Sequence, residues 1–567
     1  MASSVSQGQA IRRQIIHVGM DFGTAYSSIS YVIPDPFGQV EPGRSQVHFS
    51  KVYLSEGNMV QTRIPKGDYT ENDYEGGWIK WFKLSLLHPD DLPKGVRVLN
   101  TLDISTKERE ALDLSATDAA AMYFKDLLGQ FLGALSLGLG HEELARYDVE
   151  ITVAVPDKWP VDARRRLHHA LQPTIAAHAN VRLARKFVPE GEATAIALLS
   201  DASRRGNFRG QGFEEADTVI ICDCGGGTTV GFNLPTSISV HDAHLLKDSI
   251  AYKVTSTQPL TVEEISPGKC IFAGAVLVDE AFLQLVKDKT KTALPRRTFN
   301  TLTDSDFQDF VDEIWEQRIK VRHSIGAPRR DFSLPHKFLG SRANRAKMSF
   351  SVDDINSVFD PTVDKILNLL ESEIAEVRRA TGNGPKHVVV AGGFGRSRYL
   401  QLKIAQKVES LSPSTLTDWY TDEDGWTSVS RGAVLHAVQA HMRSIEPIVQ
   451  IEGRASGESY GVDRRTDGSM HWLIRQGEVL STTGPNRRAL PSDALRRDTN
   501  GRVFVNMYRQ REPDARVELF DCIVLTAVGE PQNIAFDFRW AGGEMSFVLV
   551  YGDNRQVPFV HQNCYDF

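Results

Sequence analysis

The chain predicts an α/β fold: two lobes of alternating strands and helices, followed by a small β-rich domain. Three observations carry that expectation. Strand-like and helix-like periodicities alternate over roughly the first four fifths of the sequence, the pattern of stacked α/β units. An apolar strand that ends in an acid and a glycine turn occurs twice, as His17-Val18-Gly19-Met20-Asp21-Phe22-Gly23-Thr24-Ala25-Tyr26 and as Val219-Ile220-Ile221-Cys222-Asp223-Cys224-Gly225-Gly226-Gly227-Thr228; the two acids lie 202 positions apart (223 minus 21), which fits a pair of related units. Past Glu446 the pattern changes to alternating strands without helices.

Met1 to Gln14 has no apolar core segment and reads as a disordered leader, so the first lobe is placed at 15–200. Ser27 to Ile33 alternates at period two and should fold back on the strand before Asp21, a hairpin also expected of Thr229 to Asn233 after the second turn. Thr117 to Leu135 carries apolar residues at three- and four-residue intervals, a helix that Asp118 helps to start. The polar, glycine-rich stretch 201–216 reads as a flexible loop opening a second lobe at 201–444. Helices are expected near Phe307 to Ser324, from Val352 to Arg379, and after Gly432 to about His441. The β-rich domain then occupies 445–567, with strands near Ser459, Met470, Val503, Val517, Ile534 and Met545.

The two acidic turns suit a polyphosphate with a cation. A glycine turn leaves backbone N–H groups free to converge on phosphate oxygens, and threonine hydroxyls add donors. Magnesium keeps several waters and takes only one or two carboxylates plus phosphate oxygens, so one aspartate from each turn, Asp21 and Asp223, suffices. A third strand-to-glycine turn, His387 to Ser397, lacks an acid. It suits a neutral part of the ligand such as adenosine, with Gly392 and Gly393 allowing close approach, Phe394 beside them and Arg396 lying along a base face.

In this order the segments resemble the actin-like ATPase superfamily, and within it the 70-kDa heat-shock chaperones, particularly divergent members with shortened C-terminal regions. The resemblance implies a two-lobed fold of duplicated ribonuclease-H-like subdomains. It makes Gly23, Thr24, Ala25 and Tyr26 a first phosphate loop, Gly225, Gly226, Gly227 and Thr228 a second, and Gly392 to Arg396 an adenosine loop. Val149 to Pro156, with Trp159 and Asp162 to Arg165, resembles the connecting strand and helix, and Glu190 falls at the water-positioning glutamate. Cys270 to Gly274 and Asp279 resemble a strand and acid after the second loop, and a helix bearing Gln317, Lys320 and Ser324 resembles the adenine-contacting helix. The family has a glutamate where Gln317 stands and an acid where Trp426 stands. Its phosphate-side lysine has no matching context here, leaving Lys66, Lys80 and Lys83 as candidates. Ser459 to Val462 and Leu473 to Glu478 resemble the opening strands of the peptide-binding sheet domain, without an apolar linker at 445–453.

The resemblance further implies a slow magnesium-dependent ATPase that binds ATP and ADP, whose lobe closure is coupled to the β domain and to an unfolded-protein client. A nucleotide-binding regulator that does not hydrolyse, and a small-molecule kinase, are the alternatives. Composition sets limits on partners. With 65 basic and 72 acidic residues the net charge is −7, which gives no reason to expect nucleic acid or an anionic membrane. The clusters Arg164 to Arg166 and Arg204-Arg205 read as solvated faces. No run reaches the length of a membrane span, and five scattered cysteines suit a reducing, cytoplasmic setting. A P-loop fails at Glu263 and Cys270, and the Gly457-Glu458-Ser459-Tyr460-Gly461 pattern lies in a helix-free region unsuited to a nucleophile elbow.

Overall fold

The strands that end in Asp21 and Asp223 each open a sheet of the same plan. This is seen in a computed structural model describing residues 13–23, 27–34, 50–53, 59–61, 64–65, 74–75, 78–88, 100–156, 159–205, 212–225, 249–269, 271, 273–316, 318–339, 347–420, 423–441, 449–464, 468–497, 499, 503–511, 516–525, 534–541, 544–551 and 555–558. In the first sheet β1 (Gln14–Asp21) pairs antiparallel with β2 (Ser28–Val32), and β2 with β3 (Ser50–Tyr53). On its other side β1 runs parallel to β4 (Tyr147–Val155), which is flanked in parallel by β5 (Val181–Leu183) and β6 (Val188–Pro189). In the second sheet β7 (Thr218–Asp223) pairs antiparallel with β8 (Ser249–Thr257), and β8 with β9 (Leu260–Glu264). The other side of β7 runs parallel to β10 (His387–Ala391), and β10 to β11 (Leu416–Trp419). Three antiparallel strands followed by parallel ones therefore occur twice, in the same order.

Helices cover these sheets on faces that the period-two alternation of each strand fixes. From β1, Ile16, Val18 and Met20, with Phe22 just beyond its end, enter a core with Phe124, Phe131 and Leu167. Those partners come from α2 (Ala116–Leu139) and α3 (Val161–Ala176), while the short α1 (Phe82–Ser85) contributes Phe82 and Leu84. Ser115 caps α2 by accepting from the Asp118 amide, and Asp118 reciprocates on the Ser115 amide, the arrangement that satisfies the first free N–H groups. From β7, Ile220 and Cys222 enter a second core with Phe282, Ile366 and Leu370. These lie on α5 (Ala275–Ala293) and α7 (Val352–Thr381), and the core also takes Phe310 and Ile314 of α6 (Asp304–Ile314).

The opposite faces of both sheets are shared. α4 (Glu190–Arg205), which follows β6 of the first sheet, buries Ala195, Leu198 and Leu199 against Val219, Ile221, Tyr252 and Val389 of the second. Conversely α8 (Ser428–His441), which follows β11, lies on the first sheet, where Ser28 and Ser30 each reach the Ser430 hydroxyl at 2.9 Å. α4 and α8 are tied by a buried ion pair, Arg431 Nη1 to Asp201 Oδ2 at 2.7 Å.

Beyond Glu446, β12 (Val449–Ala455) runs parallel to β9, and β15 (Val479–Ser481) pairs antiparallel with β12. Strands on both sides of position 445 thus belong to one sheet, which a boundary there would divide. The intervening β13 (Ser459–Asp463) and β14 (Met470–Ile474) belong to a five-stranded sheet that packs on a four-stranded one around Tyr460, Val505, Phe536, Phe538 and Phe547. Ser459 lies in strand β13, where its hydroxyl accepts from the Gln476 amide at 2.9 Å.

Several local expectations change. Gln14 is the first residue of β1, not the end of a leader. Residues 201–205 continue α4 instead of forming a loop. The helix expected to reach Ser324 ends at Ile314, and among the described residues beyond it Lys320–Arg322 forms a 3-10 turn. Ile271 and Ala273 are not in a strand, and Asp279 sits on α5. Arg164 is buried, and Arg166 donates from Nε to the Leu86 carbonyl at 2.6 Å, so that basic cluster is not a solvated face. The hairpin expected at 229–233 lies outside the described residues.

Candidate functional site

Alternation turns Asp21 to the face of β1 opposite Ile16, Val18 and Met20, and turns Asp223 to the face of β7 opposite Cys222. Those are the faces that α4 and α8 share, so the two carboxylates converge on the N-terminus of α4. That helix supplies two side chains one turn apart. Glu190 is its first residue, and Thr194, four positions on, donates from Oγ1 to Asp223 Oδ2 at 2.9 Å.

Lys83 completes the cluster. Its Nζ donates to Glu190 Oε1 at 2.7 Å, the side chain is 1% exposed, and the ammonium lies 5.6 Å from the centre of the Trp159 ring. It stands on α1, which begins after Trp81, a bulky residue at φ 55° and ψ 25° in the left-handed region. Such a backbone costs on the order of 1–2 kcal/mol and is retained where its surroundings impose it. Among the described side chains, Lys83 is the lysine candidate brought to the acids. Lys66 lies outside the described residues, and Lys80 ends a strand at Trp78–Lys80. A sequence signal existed: Trp81-Phe82-Lys83-Leu84-Ser85-Leu86-Leu87 is an apolar run with one lysine, and a buried lysine requires a carboxylate.

The electrostatics record crowded negative charge. Burial first, then Glu190 and Asp223, push the Asp21 carboxyl up to about 8, against the pull of Lys83. Burial and Glu190 push Asp223 up to about 6, against the Thr194 hydrogen bond and Lys83. Both groups hold a proton more strongly when folded than unfolded, so the stability they confer is complete below about pH 4 and is lost as pH rises through about 6 and then 8. The apoprotein is therefore expected to lose on the order of 1–3 kcal/mol between pH 5.5 and 8.5 in denaturant melts, and Asp21→Asn to lose much less. Millimolar magnesium should restore most of the loss at pH 8.5 and little at pH 5.5. Identical pH profiles for wild type and Asp21→Asn would refute the assignment.

The third glycine turn abuts the second acid. Gly392 has φ +82°, and a Cβ there would lie 2.4 Å from Asp223 Oδ1 and 2.5 Å from the Cys224 carbonyl oxygen. Only glycine fits. Cys224 locks the turn: its amide donates to the Ala391 carbonyl at 2.9 Å, and its carbonyl accepts from the Phe394 amide at 2.8 Å and the Gly395 amide at 3.3 Å. Gly393 and Arg396 are exposed, and the Trp426 indole edge lies 3.9 Å from where a Gly393 Cβ would be.

Other sequence-predicted residues fall elsewhere. Phe394 is 3% exposed and stacks on Phe359 within the core, which removes it from a ligand surface. Lys320 and Ser324 do not share a helix, and Lys320 is held by Asp279 and Glu316, each at 2.8 Å. Burial opposes its charge, but the two carboxylates outweigh burial and raise its pKa. Ser324 is half-buried beyond that turn, and Gly23 and Gly225 are half-buried beside the acids. Thr24, Ala25, Tyr26, Gly226, Gly227, Thr228 and Gln317 lie outside the described residues.

Compared with protein-family models and with curated proteins, the chain matches none. Among the described residues no helix is long and apolar enough to cross a membrane, and no group of three or more His, Cys, Asp or Glu side chains is placed to hold a metal by itself. A cation at Asp21 and Asp223 would complete its shell from water and ligand oxygens, which is how magnesium is usually held.

Proposed function

We propose that the chain binds a magnesium nucleotide, ATP or ADP, between its two sheets and hydrolyses ATP slowly. The observation that carries the reading is the convergence of Asp21, Asp223, Glu190 and Lys83 at the ends of two equivalent strands. The duplicated strand order supports a two-lobed actin-like fold of ribonuclease-H-like units, and the crossed helices α4 and α8 supply its floor.

The acids fit a divalent cation because their raised pKa values report negative charge that burial and mutual repulsion leave poorly compensated. Asp21 and Asp223 would hold magnesium, which when bound neutralises phosphate charge and orients the terminal phosphate. Glu190, fixed by Lys83, orients a water and accepts its hydrogen bond. Thr194 holds Asp223 in one rotamer. The Gly392–Gly393 backbone admits the neutral part of the ligand, with Arg396 and Trp426 at its margin. Most of the contribution is positioning and electrostatics, since phosphoryl transfer asks little covalent work of the protein.

Arg454 of β12 pairs with Glu192 of α4, and the Ala455 amide donates to Glu264 Oε2 at 3.0 Å. The helix that bears Glu190 is thereby fastened to the strand leading into the β sandwich. This favours coupling of the site to the C-terminal domain, and an unfolded-protein client there, over a small-molecule kinase. A regulator that binds nucleotide without hydrolysing it is the second reading; the Lys83–Glu190 pair favours hydrolysis. The proposed setting is cytoplasmic.

The test is calorimetric titration with Mg-ATP and single-turnover hydrolysis on the full chain. Asp223→Asn is expected to weaken Mg-ATP binding at least tenfold and to reduce turnover about 100-fold or more. Unchanged turnover in that variant would remove the assignment.

A further inference from the structure

Cys222 and Cys224 flank Asp223, and their Sγ atoms lie 3.7 Å apart on the core side of β7, beneath the carboxylate. We propose that these two thiols form a reversible disulfide that disables the acid between them, making the site sensitive to peroxide. The consequence for ligand rests on the nucleotide reading; formation of the bond does not.

The geometry gives the switch its character. A disulfide needs its sulfurs about 2.05 Å apart, so the pair must close by roughly 1.7 Å. Residues two apart in an extended strand have Cα atoms separated by about 6.6–6.8 Å, at the far limit of what a disulfide spans. The strand has to shorten between them, and Asp223 is the residue that buckles. Cys224 also carries the hydrogen bonds from Phe394 and Gly395 and the one to Ala391, so the third glycine turn shifts with it. A bond made under such strain is easily reduced, the property of a regulatory disulfide and not of a structural one.

The chemistry balances with hydrogen peroxide as oxidant. One thiol attacks the peroxide oxygen as its proton passes to the departing hydroxide, the O–O bond breaks, and a sulfenic acid and water result. The second thiol attacks the sulfenic sulfur and a second water leaves, so two thiols and one peroxide give one disulfide and two waters. Both thiols are buried, at 2% and 4% exposure, and the nearest positions along the strand that reach solvent are the half-buried Asp223 and Gly225, so the site end is the oxidant's shortest approach. Bound Mg-ATP should therefore slow the reaction.

The experiment uses the full chain carrying Cys270→Ser, Cys522→Ser and Cys564→Ser, so that Cys222 and Cys224 are its two remaining thiols. After peroxide and quenching, intact mass should fall by about 2 Da, a peptide closed between Cys222 and Cys224 should appear, and dithiothreitol should reverse both. Oxidation should raise the Kd for Mg-ATP at least tenfold and lower the melting temperature. Cys222→Ala and Cys224→Ala should bind Mg-ATP equally before and after peroxide. Two thiols that remain alkylatable in the unfolded, peroxide-treated protein would overturn the proposal, as would a bond that leaves both binding and melting unchanged. If the reduced protein binds no Mg-ATP, the nucleotide reading fails, while mass and melting still score the switch.

Discussion

Lys83→Met is expected to lower single-turnover ATP hydrolysis by about 10²–10³-fold while leaving the Kd for Mg-ATP within about tenfold of wild type. The ammonium is buried against Glu190 and faces the same space as Asp21 and Asp223, so it compensates charge at the point where phosphate charge would develop. Methionine keeps the length and apolar contacts of the side chain and removes only the charge. The loss has a structural component, because an unpartnered buried carboxylate is costly; breaking a buried pair from one side typically costs about 3–5 kcal/mol. The double variant Lys83→Met/Glu190→Gln separates the two effects. It should recover most of the lost stability, since a neutral amide needs no cation, and none of the lost turnover. Recovery of turnover in the double variant, or near-normal turnover in Lys83→Met alone, would show that the pair serves packing and not chemistry.

The acids were legible because a β-strand has a period of two: an apolar run that ends in Asp fixes which face the carboxylate takes, and the repetition of the run implied a partner. Glu190 was legible through the resemblance of its segment to the chaperone family, whereas nothing in the sequence marked Thr194, which reaches Asp223 from one helical turn beyond Glu190. Lys83 could be recognised only as an anomaly. Its contact with Glu190 spans 107 positions and depends on the left-handed backbone of Trp81, which no local propensity announces. The stretch from Phe307 to Ser324 misled for a related reason. Its helical pattern continues past Ile314, but Trp315 stacks on Phe282 at 4.0 Å and donates from Nε1 to Asp279 at 2.6 Å, and these tertiary contacts end the helix. Alternation likewise identified the strands after Glu446, but it cannot say which sheet a strand joins. β12 joins the second sheet because β9 presents it a free edge.

Gly432→Ala is expected to destabilise the protein by about 3 kcal/mol or more, although alanine ordinarily favours a helix over glycine by about 1 kcal/mol. Gly432 lies where α8 crosses α4, and a Cβ there would sit 1.7 Å from the Ala193 carbonyl oxygen and 2.3 Å from its carbon. These are backbone atoms and no rotamer change relieves the overlap, so the helices must part. α8 has little room to retreat. On its other side β1 approaches it through Gly19, where a Cβ would meet the Ser430 carbonyl oxygen at 2.1 Å, and Ser28 and Ser30 bond to the Ser430 hydroxyl. The displacement then falls on α4, which carries Glu190 and Thr194 into the site and Glu192 and Asp201 into its ion pairs with Arg454 and Arg431. Equilibrium urea melts should show the midpoint fall, and turnover should drop in the fraction that stays folded. Gly129→Ala in α2, where an added methyl meets nothing within 4 Å, is the control and should be neutral or stabilising. Were Gly432→Ala as stable as that control, the crossing of α4 and α8 would be looser than its geometry requires, and the site could not depend on it for alignment.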